Sequence, residues 1–334
     1  MLKNLFAFLL IILLLFTVLT LNVFFNNNQY ISTFKTYVVP DLKISKDVLN
    51  NYYSSDNKLS RKSSEAIILT TLENLKYKQW LEYVDYIQLL VYQSNVLPFN
   101  EDELIVVLNL SKDISVIAIY TPINDAYVFT NKIENILPVQ DISFLPVPEL
   151  GYNLIISNQL LDEKLGAFFL EEFIQIFVYL DENFKSIWKK TKYKEEIYNA
   201  QWLSPNALAN EWLQIIENNT IAFDKSSNLN ISVSISRKKF KALKEIFPMK
   251  EDFKLVEELV TQENYYWSPK YKRFIMKEGI LKNTSTSIAI IDDTNHWLES
   301  FLGFSSNNYS IVTDYGKMMY IPKQSVIINQ VGGK

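Results

Sequence analysis

The sequence predicts a mainly β protein with a minor helical part, carried behind an N-terminal transmembrane helix. Three observations lead there. Residues 5–25, LFAFLLIILLLFTVLTLNVFF, run without a charge, a Pro or a Gly. From Glu101 onward, short β-branched runs alternate with polar turns. The chain is 48% hydrophobic and 14% aromatic, so a substantial core is available to the residues that follow the apolar run.

The apolar run comes first. At about 1.5 Å per residue it reaches about 32 Å, enough for the ~30 Å hydrocarbon core of a bilayer. Only Lys3 and the terminal amine supply positive charge ahead of it. It exceeds the roughly 7–15 apolar residues of a cleavable signal, and Asn22-Val23-Phe24-Phe25-Asn26 offers no small residues for cleavage. Without any Cys, a lipid-modified Cys is excluded. Residues 1–25 therefore read as an uncleaved signal-anchor. Lys35, Lys43 and Lys46 lie well beyond it, and the adjoining residues 26–33 are uncharged. That asymmetry predicts a single-pass cell-membrane protein with its body on the extracytoplasmic side.

Residues 26–62 read as a polar stalk with a short helix near residues 42–52. Residues 63–100 read as a helical segment. Ile67, Ile68, Thr71, Leu72 and Leu75 keep helical spacing, as do Trp80, Val84, Ile87 and Val91, and Ser63 or Ser64 is the expected cap. The aromatic and β-branched residues 82–92 also suit a strand. Residues 101–200 read as a β-rich part with two repeat-like units. ELIVVLN (103–109), ISVIAIY (114–120) and AYVFTNK (126–132) are echoed by YNLIISN (152–158), FIQIFVY (173–179) and FKSIWKK (184–190). Sheet units recurring at this interval predict propeller-like repeats or, alternatively, a sandwich. Residues 201–334 read as a second β-rich part. In it, Ser204-Pro205 opens a predicted helix over 206–216, strands follow at 220–224 and 231–236, and residues 309–321 close as a hairpin.

Several stretches carry a resemblance: DELIVVL (102–108), ILPVQDISFLPVPELGYN (136–153), LLDEKLGAFF (160–169), FKSIWKKTKYKEEIYNAQW (184–202) and YYWSPKYKRFI (265–275). Together they resemble membrane-anchored proteins of clostridia and related low-GC bacteria, a family with no assigned activity. The resemblance implies an envelope location and supplies no catalytic residues. The paired strands also look like integrin-type propeller repeats, but the D-x-D-x-D-G calcium loop of those repeats is missing here.

Composition excludes several chemistries. Net charge is −4 without a basic block, which argues against nucleic acid. Zero Cys excludes disulfides and thiolate metal sites, and a single His excludes multi-His metal centres. Seven Gly form no phosphate-cradling motif, so no cofactor is expected. Asp292-Asp293-Thr294-Asn295-His296 reads as a polar turn. Ser186-Ile187-Trp188-Lys189 matches S-x-x-K but sits in a predicted strand, out of order with the other penicillin-binding fragments. In the pairs Glu171-Glu172 and Glu195-Glu196, adjacent carboxylates on a strand point to opposite faces. No catalytic or metal residue is expected.

The candidate partner-binding residues are Tyr265, Tyr266, Trp267 and Tyr271, crowded around a hairpin whose turn is Ser268-Pro269-Lys270. The function expected is non-enzymatic binding of a protein, peptide or glycan at the cell envelope. The alternatives are an envelope hydrolase with dispersed carboxylates and an assembly partner of another membrane protein.

Overall fold

The computed structural model describes residues 42–99, 101–164, 168–224, 229–304 and 306–329. The expected signal-anchor and residues 26–41 of the expected stalk lie outside them. Among the described residues no helix is long and apolar enough to cross a membrane. Strands hold 57% of the described residues and helices 19%; the strands form three curled antiparallel sheets, so the fold is mainly β.

The first sheet holds β1 (Lys43–Ser45), β2 (Gln88–Ser94), β3 (Glu103–Asn109), β4 (Ser115–Ile123) and β5 (Ala126–Ile136), in the order β1-β5-β4-β3-β2. All seven residues of β3 are buried. Its unbroken apolar run is what a strand covered on both faces requires. Leu104, Val106 and Leu108 pack on helices α1 (Lys46–Tyr52) and α2 (Asn57–Leu75). Ile105 and Val107 pack toward the second sheet. Asp56 caps α2, accepting from the Lys58 and Leu59 amides, so the helix begins upstream of the expected Ser63 or Ser64. Much of the expected stalk is thus folded: β1, α1 and the first turns of α2 lie within it. The expected helical segment 63–100 ends in β2.

The second sheet is an eight-strand meander: β6 (Val139–Val147), β7 (Tyr152–Glu163), β8 (Phe169–Leu180), β9 (Asn183–Asn199), β10 (Glu211–Asp224), β11 (Asn230–Leu243), β12 (Lys254–Ser268) and β13 (Arg273–Ile275). It curls so that Leu154, Ile176 and Trp188 from one half meet Val233, Tyr265 and Phe274 from the other. Asn109 ties the first sheet to it, its amide bonding both the N–H and the carbonyl of Val139 at 2.9 Å.

The third sheet holds β14 (Lys277–Leu281), β15 (Ser287–Asp293), β16 (Asn308–Thr313), β17 (Met318–Pro322) and β18 (Val326–Ile328), in the order β17-β16-β15-β14-β18. The short helix α3 (Leu298–Phe301) follows β15.

Three expectations are corrected here. The repeat-like units do not form propeller blades: β3–β5 belong to the first sheet and β7–β9 to the second, which pack together through Ile117, Ile133, Ile155 and Phe177. That contact is sandwich-like, but the eight-strand curl and the third sheet extend beyond a two-layer sandwich. The expected boundary at residue 200 falls within the second sheet, because β10 pairs with β9 across it. The expected helix at 206–216 is a turn leading into β10. Ile215 and Ile216 gain ladder partners on both sides there, which the local Ser-Pro signal does not reveal.

Candidate functional site

Period-two alternation sets which residues enter the curl. On β12, Glu263, Tyr265 and Trp267 share one face. Register places Glu217 of β10 opposite both Arg237 of β11 and Lys194 of β9, so these three also share a face. Trp188 and Lys190 enter from β9. The result is a charged layer between two apolar clusters. One cluster holds Trp188, Ile235 and Tyr265. The other holds Tyr198, Leu213 and Ile215, and Phe301 of α3 packs into it. Between the curl and the segment that follows β15 lies a cleft of about 450 Å³.

Two ion pairs organise the layer. Arg237 Nε donates to Glu217 Oε2 at 2.6 Å, and Asn219 Nδ2 donates to Glu217 Oε1 at 2.6 Å. Both charged residues are buried. Glu263 has a fully buried side chain whose Oε2 accepts from Lys190 Nζ at 2.6 Å and from the Tyr265 hydroxyl at 2.5 Å. His296 Nδ1 lies 3.3 Å from Glu263 Oε1, an ion-pair contact without hydrogen-bond alignment. Burial pushes the Glu263 pKa up, but His296, Lys190 and Tyr265 outweigh it and bring it down to about 2. In return, Glu263 raises the pKa of His296. Burial, reinforced by Glu263, drives the Tyr265 hydroxyl well above its usual range.

The cleft walls mix rings and charge. Trp188, Trp297, Tyr265 and Phe274 line it, as do Asp292 and Arg273. Burial raises the pKa of Asp292, whose Oδ2 accepts from Trp297 Nε1 at 2.6 Å. Trp297 in turn meets Tyr320 edge-on at 5.7 Å. Among the described residues no group of His, Cys, Asp and Glu could hold a metal ion.

The four candidate binding residues divide between two sides of the sheet. Tyr265 and Trp267 are buried within the curl, Trp267 edge-on to Phe274 at 5.7 Å. Tyr266 and Tyr271 lie half-buried against Ile275, Ala289 and Val312, facing the third sheet. Of the four, only Tyr265 lines the cleft. The hairpin tip meets the third sheet, which supplies the core that a view of the hairpin alone leaves out.

The paired carboxylates bond to neighbouring groups. Glu171, on the cleft wall, accepts from Thr191 at 2.7 Å, and Glu172 meets Lys192 at 2.7 Å. Glu195 accepts from Gln214 at 2.8 Å, and Glu196 lies 3.2 Å from Lys194. Of the expected turn 292–296, residues 294–296 form a single 3₁₀ turn, whereas Asp292 and Asp293 end β15. Sequence reasoning missed what that turn faces. The signal available was the spacing E-x-Y-x-W on β12, which puts Glu263 on the face of two buried rings and so demands a counterion. Lys190 carried no comparable signal, because its partner is 73 residues away.

No family model, curated protein or solved structure matches the chain.

Proposed function

We propose that the chain is a non-enzymatic binding protein of the cell envelope, held by a single N-terminal span with its body outside, and that the cleft binds a glycan. The observation that carries this reading is the lining of the cleft. Indole and phenol rings stand beside charged groups that Glu263 and Glu217 already hold in place. Sugars present apolar ring faces and a fringe of hydroxyls, which suit stacked rings beside preorganised polar groups. The volume of about 450 Å³ matches a small ligand or one or two residues of a longer chain. Half-buried Trp297 is the ring best placed to be covered by ligand.

Titrating the full-length chain with an oligosaccharide panel tests the reading. Binding to at least one saccharide, weakened about tenfold or more by Trp297→Ala with the melting temperature retained, is expected. Absence of binding across the panel overturns it. Protease treatment of spheroplasts tests the location: digestion of the body with a small membrane-held remnant is expected, and full protection contradicts it.

Asp292 favours a second reading, an envelope glycoside hydrolase. A carboxyl with a raised pKa facing a cleft is the state required of a general acid. Release of new reducing ends that disappears in Asp292→Asn would replace binding by hydrolysis.

A further inference from the structure

The charges lining the cleft differ in how they are matched. Glu217 has Arg237 and Asn219. Asp292 has the Trp297 indole, and Glu171 has the Thr191 hydroxyl. Lys190 is held by Glu263 and Lys194 by Glu196. Lys189 rests 3.7 Å from the centre of the Phe173 ring. Glu299 stands exposed on the wall. Arg273 is the exception. It is half-buried, and burial lowers its pKa. Among the described residues its guanidinium meets only the sulfur of Met318, Nη1 to Sδ at 3.6 Å, and no carboxylate.

A guanidinium carries five N–H donors in a planar fork, and a thioether satisfies one of them poorly. Partly desolvating such a group without an acidic partner is unfavourable unless something brings the anion. The backbone fixes the position of Arg273. It sits opposite Ser268 at the end of the β12–β13 pairing, next to Phe274, which is fully buried in the curl. The fork is thus carried by a strand whose neighbouring residue is locked into the core.

From this we infer that the cleft selects an acidic saccharide, with Arg273 receiving a carboxylate of the uronic-acid type while the Trp297 side of the cleft takes the ring. This rests on the glycan-binding reading and adds the charge of the ligand. A planar carboxylate matches the fork with two parallel hydrogen bonds. Glu299, Glu171 and Asp292 on the same lining oppose a doubly charged phosphate more than a singly charged carboxylate.

The test compares trigalacturonate with the neutral galactose trimer, titrated into the full-length chain in detergent micelles and followed by calorimetry. The acidic trimer is expected to bind about tenfold tighter or more. Arg273→Gln is expected to remove that preference, bringing the acidic trimer to within about twofold of the neutral one, and Arg273→Lys to keep part of it. Thermal melts identify a variant that fails to fold, and Arg273→Lys then carries the comparison. Equal affinity for the two trimers, or an unchanged preference in Arg273→Gln, overturns the inference and leaves the glycan reading standing. Binding of neither trimer, nor of any saccharide in the wider panel, overturns both. Tighter binding of a phosphorylated than of a carboxylated sugar replaces the carboxylate with a phosphate.

Discussion

Glu263 is the residue on which the charged layer turns. Its folded pKa of about 2 lies below its ordinary value of 4.5, so its contribution to stability is complete above 4.5 and is lost as pH falls toward about 2. His296 works in the opposite sense. Its pKa is raised from 6.5, so its contribution is complete below 6.5 and is lost as pH rises through the raised value. Both contributions are therefore present together between 4.5 and 6.5. Melting curves should show a higher midpoint near about pH 5.5 than near about pH 8, and Glu263→Gln should flatten that difference. Glu263→Ala should cost about 3–5 kcal/mol in denaturant titrations, because it leaves the Lys190 ammonium buried without its partner. A loss within the range of ordinary surface substitutions would contradict this. The sequence made His296 visible as the only His in the chain, and local spacing placed it in a turn. Its partner was hidden because Glu263 belongs to another sheet.

At the scale of elements, β12 is two strands in one. Its C-terminal end carries Tyr265 and Trp267 into the curl, whereas residues 254–260 are exposed on both faces. Trp267→Ala should cost about 3–5 kcal/mol, since the ring is buried beside Phe274. Leu255→Thr, on the exposed end, should change stability by less than about 0.5 kcal/mol. Comparable losses from the two would show that this division of the strand is wrong. On β14, a Cβ added to Gly279 would stand 2.6 Å from the Ile327 carbonyl oxygen. Gly279→Ala should therefore push β18 away, at about 1–3 kcal/mol, with hydrogen exchange rising first at residues 326–328. Strand positions were legible where β-branched runs are dense, as in β3, β4 and β8. Strand ends were not: β9 runs on through Lys-Thr-Lys-Tyr-Lys-Glu-Glu, a polar stretch held by β8 and β10 on either side. The first turns of α2 looked like stalk for a related reason, because the helix buries little before Ser63.

At the scale of the molecule, the third sheet packs on the tip of the β12–β13 hairpin through Ala289 and Val312, and α3 adds a second attachment. Phe301 reaches the cluster of Tyr198, Leu213 and Ile215. Phe301→Ala should speed hydrogen exchange across β15 and α3 while leaving β3 and β4 protected, since those strands share no cluster with it. Uniform acceleration would mean that the sheets open as one unit. The mainly β class followed from residue texture, but the number of sheets did not. Similar hairpins look alike in sequence whether they stack as blades or face each other, and only side-chain contacts between distant residues, such as Ile117 with the residues around Ile155, separate the two.

The order of strand pairing also bears on how the chain is assembled as it emerges. Every strand from β7 to β13 pairs with its immediate predecessor, so each newly delivered strand lands on an edge already in place. The flanking sheets need longer-range closure. β1 must wait for β5, and β14 for β18. A nascent chain stopped just short of Val326 would have the first two sheets complete and the third without β18, leaving Gly279, Ile280 and Leu281 of β14 without the strand that covers them. Premature termination would therefore leave a particle mostly folded, with that short run of β14 backbone unpaired, a ready target for proteases.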